Sequence, residues 1–280
     1  MLVTSKELYK HAFDNGYAIP APNFMDVETM KSHIEVAEEL GLPVILAFAE
    51  EHTTLMSLEE VALNGRHFAE KASIPVVLHL DHGMNIDVIK KAIDLGFTSV
   101  MIDGSSDPFE VNVAKTKEVV EYAHQHGVVV EAEIGHVGAG ENYETDTLTS
   151  SIYTDVDEAV RFANETNVDS LAISIGTAHG MYTGVPKINF ERLKEINENI
   201  SVPLVLHGGS SSGDENLKEC SINGITKINI FSDLINGAME KINKDKPENY
   251  LQVKVSAKNG MQDVLRHYYN VFGTAKYLEK

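Results

Sequence analysis

Eight short apolar runs recur along the chain, at 18–22, 43–48, 75–80, 98–102, 128–132, 170–175, 203–207 and 225–230, and most are rich in Val, Ile, Leu or Ala without strict alternation. Strands covered on both faces read this way, and helical patterns fill the stretches between them. Ser57 with Glu60 sets a capping box ahead of VALNGRHFAEKA, Asp155 with Glu158 repeats it ahead of AVRFAN, and Asp107-Pro108 opens a long helix that Gly127 ends. Val27, Met30, Ile34 and Ala37 form one apolar stripe at helical spacing. Three of the runs begin alike, in Leu42-Pro43-Val44, Ile74-Pro75-Val76 and Val202-Pro203-Leu204, with proline where a strand can take it without losing an interior ladder bond. Repeated strand-helix units in this number predict an α/β fold, a (β/α)8 (TIM) barrel. A chain of 280 residues with no low-complexity linker suits a single domain over 1–280. Residues 243–258 are expected to join the last barrel helix to a C-terminal helical extension.

In such a barrel, the C-terminal strand ends and the loops that follow them surround the active site. Three histidines close apolar runs at these ends: His82 in VVLHLDH, His179 in LAISIGTAH and His207 in PLVLHGGS. One strand-end histidine is usually a hydrogen-bonded structural residue. Three in one layer can hold a metal ion and leave a fourth position for a substrate oxygen. Asp81 adjoins His82 and suits either a proton acceptor for a substrate hydroxyl or a partner that orients a ligand histidine; the residue pattern leaves both open. Asp103, Glu131 and Glu133 close the next two strands, where carboxylates can build a second cation site, form a hydrogen-bonded network or lie solvated at the rim.

The segments His207-Gly208-Gly209-Ser210 and Lys227-Ile228-Asn229-Ile230-Phe231-Ser232 follow strands seven and eight, where barrels often place a phosphate. Glycines let backbone N–H groups approach it, and Ser210 and Ser232 can add hydroxyl donors. The polar stretch 138–151 follows a strand run and is expected to form a mobile flap, the plainer alternative being an exposed loop with no role.

A formal net charge of −19 opposes nucleic acid and anionic membranes as partners, so an anionic substrate has to be held locally, by backbone N–H groups, a metal or one placed basic side chain. Cys220 is the single cysteine and cannot form an internal disulfide, and no apolar stretch reaches the length of a membrane span. A cytoplasmic protein is expected.

LHLDHG (78–83), SVMIDGS (99–105), EAEIGHVG (131–138), ISIGTAHG (173–180), LHGGSS (206–211) and KINIFSD (227–233) are spread across nearly the whole chain. In these segments, in their order and strand positions, the chain resembles the class II, zinc-dependent fructose-bisphosphate and tagatose-bisphosphate aldolases. The resemblance implies that His82, His179 and His207 bind a catalytic Zn2+ that chelates the ketose C2 carbonyl and C3 hydroxyl. Asp81 would remove the C4 hydroxyl proton as the C3–C4 bond breaks. Glu141 takes the position of the flap carboxylate that handles the C3 proton, yielding dihydroxyacetone phosphate beside the aldehyde. Asn23, Gly180, Gly208, Gly209, Ser210, Asn229 and Ser232 would contact the phosphorylated ketose. Asp103 and Glu133 match a second metal position of some members, whereas others carry a monovalent cation, Na+ or K+, near the phosphate. Homodimers or homotetramers are implied as well.

Two departures bear on the sugar. Many members carry serine after the second strand, where AFAEEH here aligns Ala49, and Phe231 stands where relatives often have Asp, Asn or Ala. Glu50, Glu51 and His52 sit beside Ala49, either as a solvated turn before Ser57 or pointing inward, where two acids would disfavour a second phosphate unless His52 or an arginine such as Arg266 offset them. Competing readings are a Schiff-base aldolase built on Lys227, a zinc hydrolase of a small phosphorylated substrate, and a non-catalytic partner subunit on the same barrel.

Overall fold

A computed structural model of the chain describes residues 1–135, 153–178 and 186–279. Eight parallel strands, β1 (Ile19–Pro22), β2 (Val44–Ala49), β3 (Val76–Gly83), β4 (Ser99–Ile102), β5 (Val129–Ile134), β6 (Ser170–Ile173), β7 (Leu204–Leu206) and β8 (Ile225–Ile230), follow one another around a sheet. Its two ends meet through a bridge between Asn23 and Ala47, where the Phe24 N–H donates to the Ala47 carbonyl at 3.0 Å. The result is the expected (β/α)8 barrel.

The helices are α1 (Lys6–Asn15), α2 (Val27–Leu40), α3 (Leu58–Lys71), α4 (Ile86–Leu95), α5 (Phe109–Gln125), α6 (Val156–Thr166), α7 (Phe190–Asn199), α8 (Asp214–Ile222), α9 (Ser232–Asp245) and α10 (Tyr250–Val271). Ser57 and Glu60 form the full reciprocal box at the start of α3, and Asp26 with Thr29 does the same for α2. Asp155 caps α6 in one direction only, accepting from the Glu158 N–H at 3.1 Å. Asp107 does not cap α5: its carboxylate takes the Lys115 ammonium at 2.6 Å, and Pro108 occupies the cap position. Past the end of that helix, Gly127 adopts φ +70°, a left-handed turn that favours glycine.

Three boundaries differ from the sequence reading. β3 runs on to Gly83 and β5 to Ile134, so Asp81, His82 and Glu133 lie within strands, beyond the ends of the runs 75–80 and 128–132. The connection within 243–258 shrinks to 246–249, because Pro247 breaks the helix and the Asn249 side chain caps α10 by accepting from the Gln252 N–H at 3.1 Å. The C-terminal extension is α10, packed on α9 where Gly237 and Gly260 let the two backbones touch.

Alternation along the strands separates two faces. Val44, Leu46 and Phe48 of β2 and Val76, Leu78 and Leu80 of β3 pack in the cluster that includes the surrounding helices. Ile45, Ala47 and Val77, with Ile19 and Ala21 of β1, form a second cluster with Leu8, Tyr9 and Ala12 of α1, which plugs the N-terminal end of the barrel. Above that plug the inward positions turn polar, as His79, Glu131 and Lys227, all fully buried or nearly so.

Candidate active site

Asp81 and His82 are neighbours in a strand, and in a regular strand their side chains would face opposite sides of the sheet. The β3–β4 ladder breaks this rule between Leu80 and Gly83, where β3 carries one residue more than β4. His82 takes up the extra residue with φ +47°, a left-handed conformation that costs a non-glycine side chain about 1–2 kcal/mol. Both side chains therefore reach the cleft at the C-terminal mouth. Gly83 is required beside them, since a Cβ there would run into the Met101 carbonyl and Ile89.

Asp81 is buried and held at both oxygens, by Nδ2 of Asn23 at 2.8 Å and Nδ2 of Asn229 at 2.9 Å. Its in-register neighbour on β2 is Ala49, whose methyl leaves the carboxylate room to reach β1 and β8. Burial pushes the Asp81 pKa up, but His82, His207 and Lys227 outweigh it and hold the group well below the usual carboxylate range. Asp81 is thus an anion of fixed orientation.

His82 and His207 face each other with ring centroids 4.5 Å apart. Nδ1 of His82 lies 2.9 Å from Oδ2 of Asp103, whose other oxygen accepts from the N–H and the hydroxyl of Ser105. Nε2 of His207 lies 2.8 Å from Oε1 of Glu131. The Lys227 ammonium donates to both oxygens of Glu131 at 2.8 Å and approaches His79 Nε2 at 3.2 Å, while His79 Nδ1 meets the Ser99 hydroxyl at 2.8 Å. Burial raises the Glu131 pKa, yet Lys227 foremost brings it down to about 2, and burial with Lys227 takes His79 to about 3. Burial lowers His82 too, but Asp81 and Asp103 lift it to about 9, while burial and the His82 charge lower His207.

Such a donor set fits a metal ion. Ligand atoms of Asp81, His82 and His207 lie within 4.8 Å of one another, and those of His82, Asp103 and Glu133 form a second such group. Each of the two histidines has one ring nitrogen engaged by a carboxylate, the arrangement that fixes tautomer and ring orientation in metal-binding histidines and leaves the other nitrogen as the ligand atom. Beside the anion Asp81, the positive charge that His82 carries as a proton is one a divalent cation can supply. His179, Gly180 and Glu141 lie outside the described residues, as does the segment 138–151 expected to form a flap.

Opposite the bulge, a cleft of about 260 Å³ is floored by Gly208, Gly209 and Ser210 of the β7–α8 loop and by Phe231 and Ser232 at the start of α9. Gly208 has φ +66°, and a Cβ on it would collide with the Ala178 carbonyl; a Cβ on Gly209 would meet Ile228 at 2.5 Å and the Asn229 carbonyl at 2.7 Å. The Ser210 hydroxyl accepts from the N–H groups of Phe231 at 3.1 Å and Asp233 at 3.3 Å, tying this loop to the helix N-terminus. Asp233 completes the tie by accepting from Ser211 N–H and hydroxyl, each at 2.7 Å, and from the Tyr268 hydroxyl of α10. The Gly209 N–H is taken by the Asn229 carbonyl at 3.1 Å, so the anion-favouring feature of this floor is the N-terminus of α9 at Ser232.

On the remaining side of the cleft stand Ala49, Glu51, His52 and Phe231. The His52 ring packs on Phe231 with centroids 5.1 Å apart and on Phe48 at 6.2 Å. Glu50 points elsewhere, its carboxylate accepting from the Met84 N–H at 2.7 Å and the Asn85 N–H at 3.2 Å. Arg266 is held on the outside of α10 by Glu39 at 2.7 Å and Asp263 at 3.2 Å, away from this wall.

A family model described as fructose-bisphosphate aldolase class-II matches residues 3–277. This chain belongs to the class II fructose-bisphosphate aldolase family. Among solved structures, the YdjI aldolase from Escherichia coli K12 superposes with a TM-score of 0.90 at 34% identity, over 100% of both chains. A putative fructose-1,6-biphosphate aldolase from Coccidioides immitis gives 0.87 at 27% identity, covering 98% of this chain and 97% of that one. Fructose-bisphosphate aldolase from Campylobacter jejuni, at 22% identity and 0.80 over 98% and 96%, shares the fold. The protein is therefore a metal-dependent aldehyde-lyase of a family that acts on phosphorylated sugars, and none of its described helices is long and apolar enough to cross a membrane.

Within a class II aldolase, Lys227 has no place as a Schiff-base nucleophile: it is fully buried, paired to both oxygens of Glu131, and absent from the cleft lining. The sequence reading missed the layer beneath the cleft. Glu131 reads in sequence as one of three strand-end acids, and His79 and Ser99 carry no local signal, although alternation along β3 and β5 gives His79 the phase of Asp81 and Glu131 the phase of Glu133.

Proposed function

We propose that the chain is a zinc-dependent aldolase that reversibly cleaves the C3–C4 bond of a ketose 1-phosphate, a class that includes fructose and tagatose 1,6-bisphosphates, to dihydroxyacetone phosphate and an aldehyde. The observation that carries this reading is the anchored Asp81 anion grouped with two carboxylate-backed histidines in one cleft that also reaches the N-terminus of α9. His82 and His207, with His179 as third ligand, hold the metal. When bound, zinc polarises the ketose carbonyl and offsets the negative charge that builds up as the bond breaks.

The chain's own groups do the rest. The Gly208–Gly209 turn lets the C1 phosphate approach the N-terminus of α9, where the Ser232 N–H and hydroxyl hold it and so fix the ketose along the cleft. Asp81, ionised and pinned by Asn23 and Asn229, accepts the C4 hydroxyl proton; the O–H electron pair forms the C4 carbonyl of the aldehyde as the C3–C4 pair passes to C3. Glu141 returns a proton to C3. Asp103 anchors His82, and with Glu133 it forms the second candidate cation site, for a divalent or monovalent ion.

A hydrolase built on the same metal set would release orthophosphate. The test is to strip the protein with a chelator, assay it with ketose 1-phosphates, and restore Zn2+. Dihydroxyacetone phosphate release that disappears and returns, with no covalent adduct trapped by borohydride, is the expected result. Orthophosphate release, or activity indifferent to the chelator, would falsify the proposal.

A further inference from the structure

The two ends of the cleft offer a substrate opposite things. At one end, the Gly208–Gly209 turn and Ser232 at the N-terminus of α9 line the cleft, and a helix N-terminus favours an anion. At the other, the wall is Ala49, Glu51, His52 and Phe231, and no lysine or arginine lines the cleft among the described residues.

The sequence extends this to the segments outside the described residues. Neither 136–152 nor 179–185 contains a lysine or arginine. Across all eight stretches that connect a strand's C-terminal end to the next helix, the basic residues reduce to Lys187. That residue is exposed, lies two positions before the cap of α7, and does not line the cleft. Nor does His52 substitute for a basic residue. Its Nε2 lies 3.8 Å from the carboxylate Oε1 of Glu51. Its ring is otherwise committed to Phe231 and Phe48, and the Glu51 side chain, 82% exposed, projects beside it.

A terminal phosphate carries nearly two negative charges and needs amides or basic side chains to replace its water. Here it would meet an acid and two rings, in a protein whose net charge of −19 already repels it. An uncharged hydroxylated chain loses nothing at such a wall, because its C–H faces can lie on the rings while Glu51 accepts a hydroxyl hydrogen bond. We infer that the aldehyde half of the substrate is an unphosphorylated hydroxyaldehyde, so that this enzyme works on ketose 1-phosphates and discriminates against 1,6-bisphosphates. The inference rests on the aldolase reading above.

The test uses the zinc-loaded full chain with fructose 1-phosphate and 1,6-bisphosphate, and with the tagatose pair, reading dihydroxyacetone phosphate. For each C4 epimer that is cleaved, kcat/KM is expected to favour the 1-phosphate by at least about tenfold. Glu51→Lys should narrow that ratio from both sides, raising kcat/KM for the bisphosphate and lowering it for the 1-phosphate, which loses its hydroxyl acceptor. Calorimetric titration of Asp81→Ala, which binds without turnover, should show the same order of affinity. A ratio near one, or a preference for the bisphosphate, overturns the inference while leaving the aldolase reading intact; a basic side chain reaching in from a second copy of the chain would produce that result. If none of the four sugars releases dihydroxyacetone phosphate, the aldolase reading falls and takes this inference with it.

Discussion

On the metal wall, both oxygens of Asp81, Nδ1 of His82 and Nε2 of His207 each have a side-chain partner within 3.0 Å. Across the cleft, His52 touches Phe48 and Phe231 through ring contacts, and its buried Nδ1 has no hydrogen-bond partner among the described residues. The first wall is built so that no group can turn, as chemistry on a bound ketose requires. The second fixes shape and leaves hydrogen bonding unsettled, which suits the aldehyde end of the proposed substrate. The difference separates a wall held by hydrogen bonds from one held by packing.

The largest effects should come from the metal wall. Asp81→Ala is expected to keep stoichiometric zinc and lose about 10²–10⁴-fold in kcat, whereas His207→Ala should lose the zinc itself, read by metal analysis of the purified protein. Retained turnover in both variants would mean that this wall is scaffolding, and the contrast between the walls would collapse.

Next in size is the support beneath. Lys227→Met leaves Glu131 buried without its cation, which costs about 3–5 kcal/mol in stability and lets the carboxylate that orients His207 take up a proton. Zinc affinity should fall about 10–100-fold, measured by competition with a chelator. The double variant Lys227→Met/Glu131→Leu should recover much of the stability without the affinity, since burying neither charge removes the penalty but not the loss of orientation. Equal recovery of both would show that the pair serves packing alone.

How much of this was legible follows from where each signal lives. The eight strands and the Ser57, Asp155 and Gly127 punctuation are local, so they could be read directly. His82, His207 and Asp81 were legible because strand ends converge in any barrel. Asp107-Pro108 marked the start of α5 correctly, but that Asp107 pairs with Lys115 is a side-chain contact the dipeptide does not encode. The His82 bulge and the Lys227–Glu131 pair, 96 residues apart, depend on register and on what meets across the interior, which no local pattern encodes. Glu50 and Glu51 are identical neighbours, yet one caps amides of the β3–α4 turn and the other lines the cleft.

A third prediction probes the metal wall from behind. His33 of α2 is buried, and its Nε2 lies 3.2 Å from the Asn23 carbonyl, on the residue that clamps Asp81. Burial, against weaker help from that carbonyl and Asp26, lowers its pKa to about 4. The folded state therefore binds this proton less readily than the unfolded chain, for which the value is about 6.5. Stability from this group is complete above pH 6.5 and is lost as pH falls toward 4, a decline of about 3 kcal/mol. His33→Gln should flatten that part of the profile, measured by thermal unfolding followed by circular dichroism at pH 7.5, 6 and 4.5. If the variant and parent lose stability in parallel, other groups control the acid limb.

The smallest effect is assigned to the wall opposite. Glu50 accepts two backbone N–H groups at the start of α4 from outside the cleft, so Glu50→Gln keeps an acceptor oxygen and gives up only the charge assistance. Helix N-termini favour an anion by about 0.3–1 kcal/mol, and the melting temperature should drop by no more than a few degrees. Because the carboxylate does not line the cleft, kcat and the preference between 1-phosphate and bisphosphate should both stay unchanged. A shift in that preference would show that the turn after β2 swings Glu50 inward during turnover. The acidic wall would then contain two carboxylates, and the selection against a second phosphate would be stronger than Glu51 alone explains.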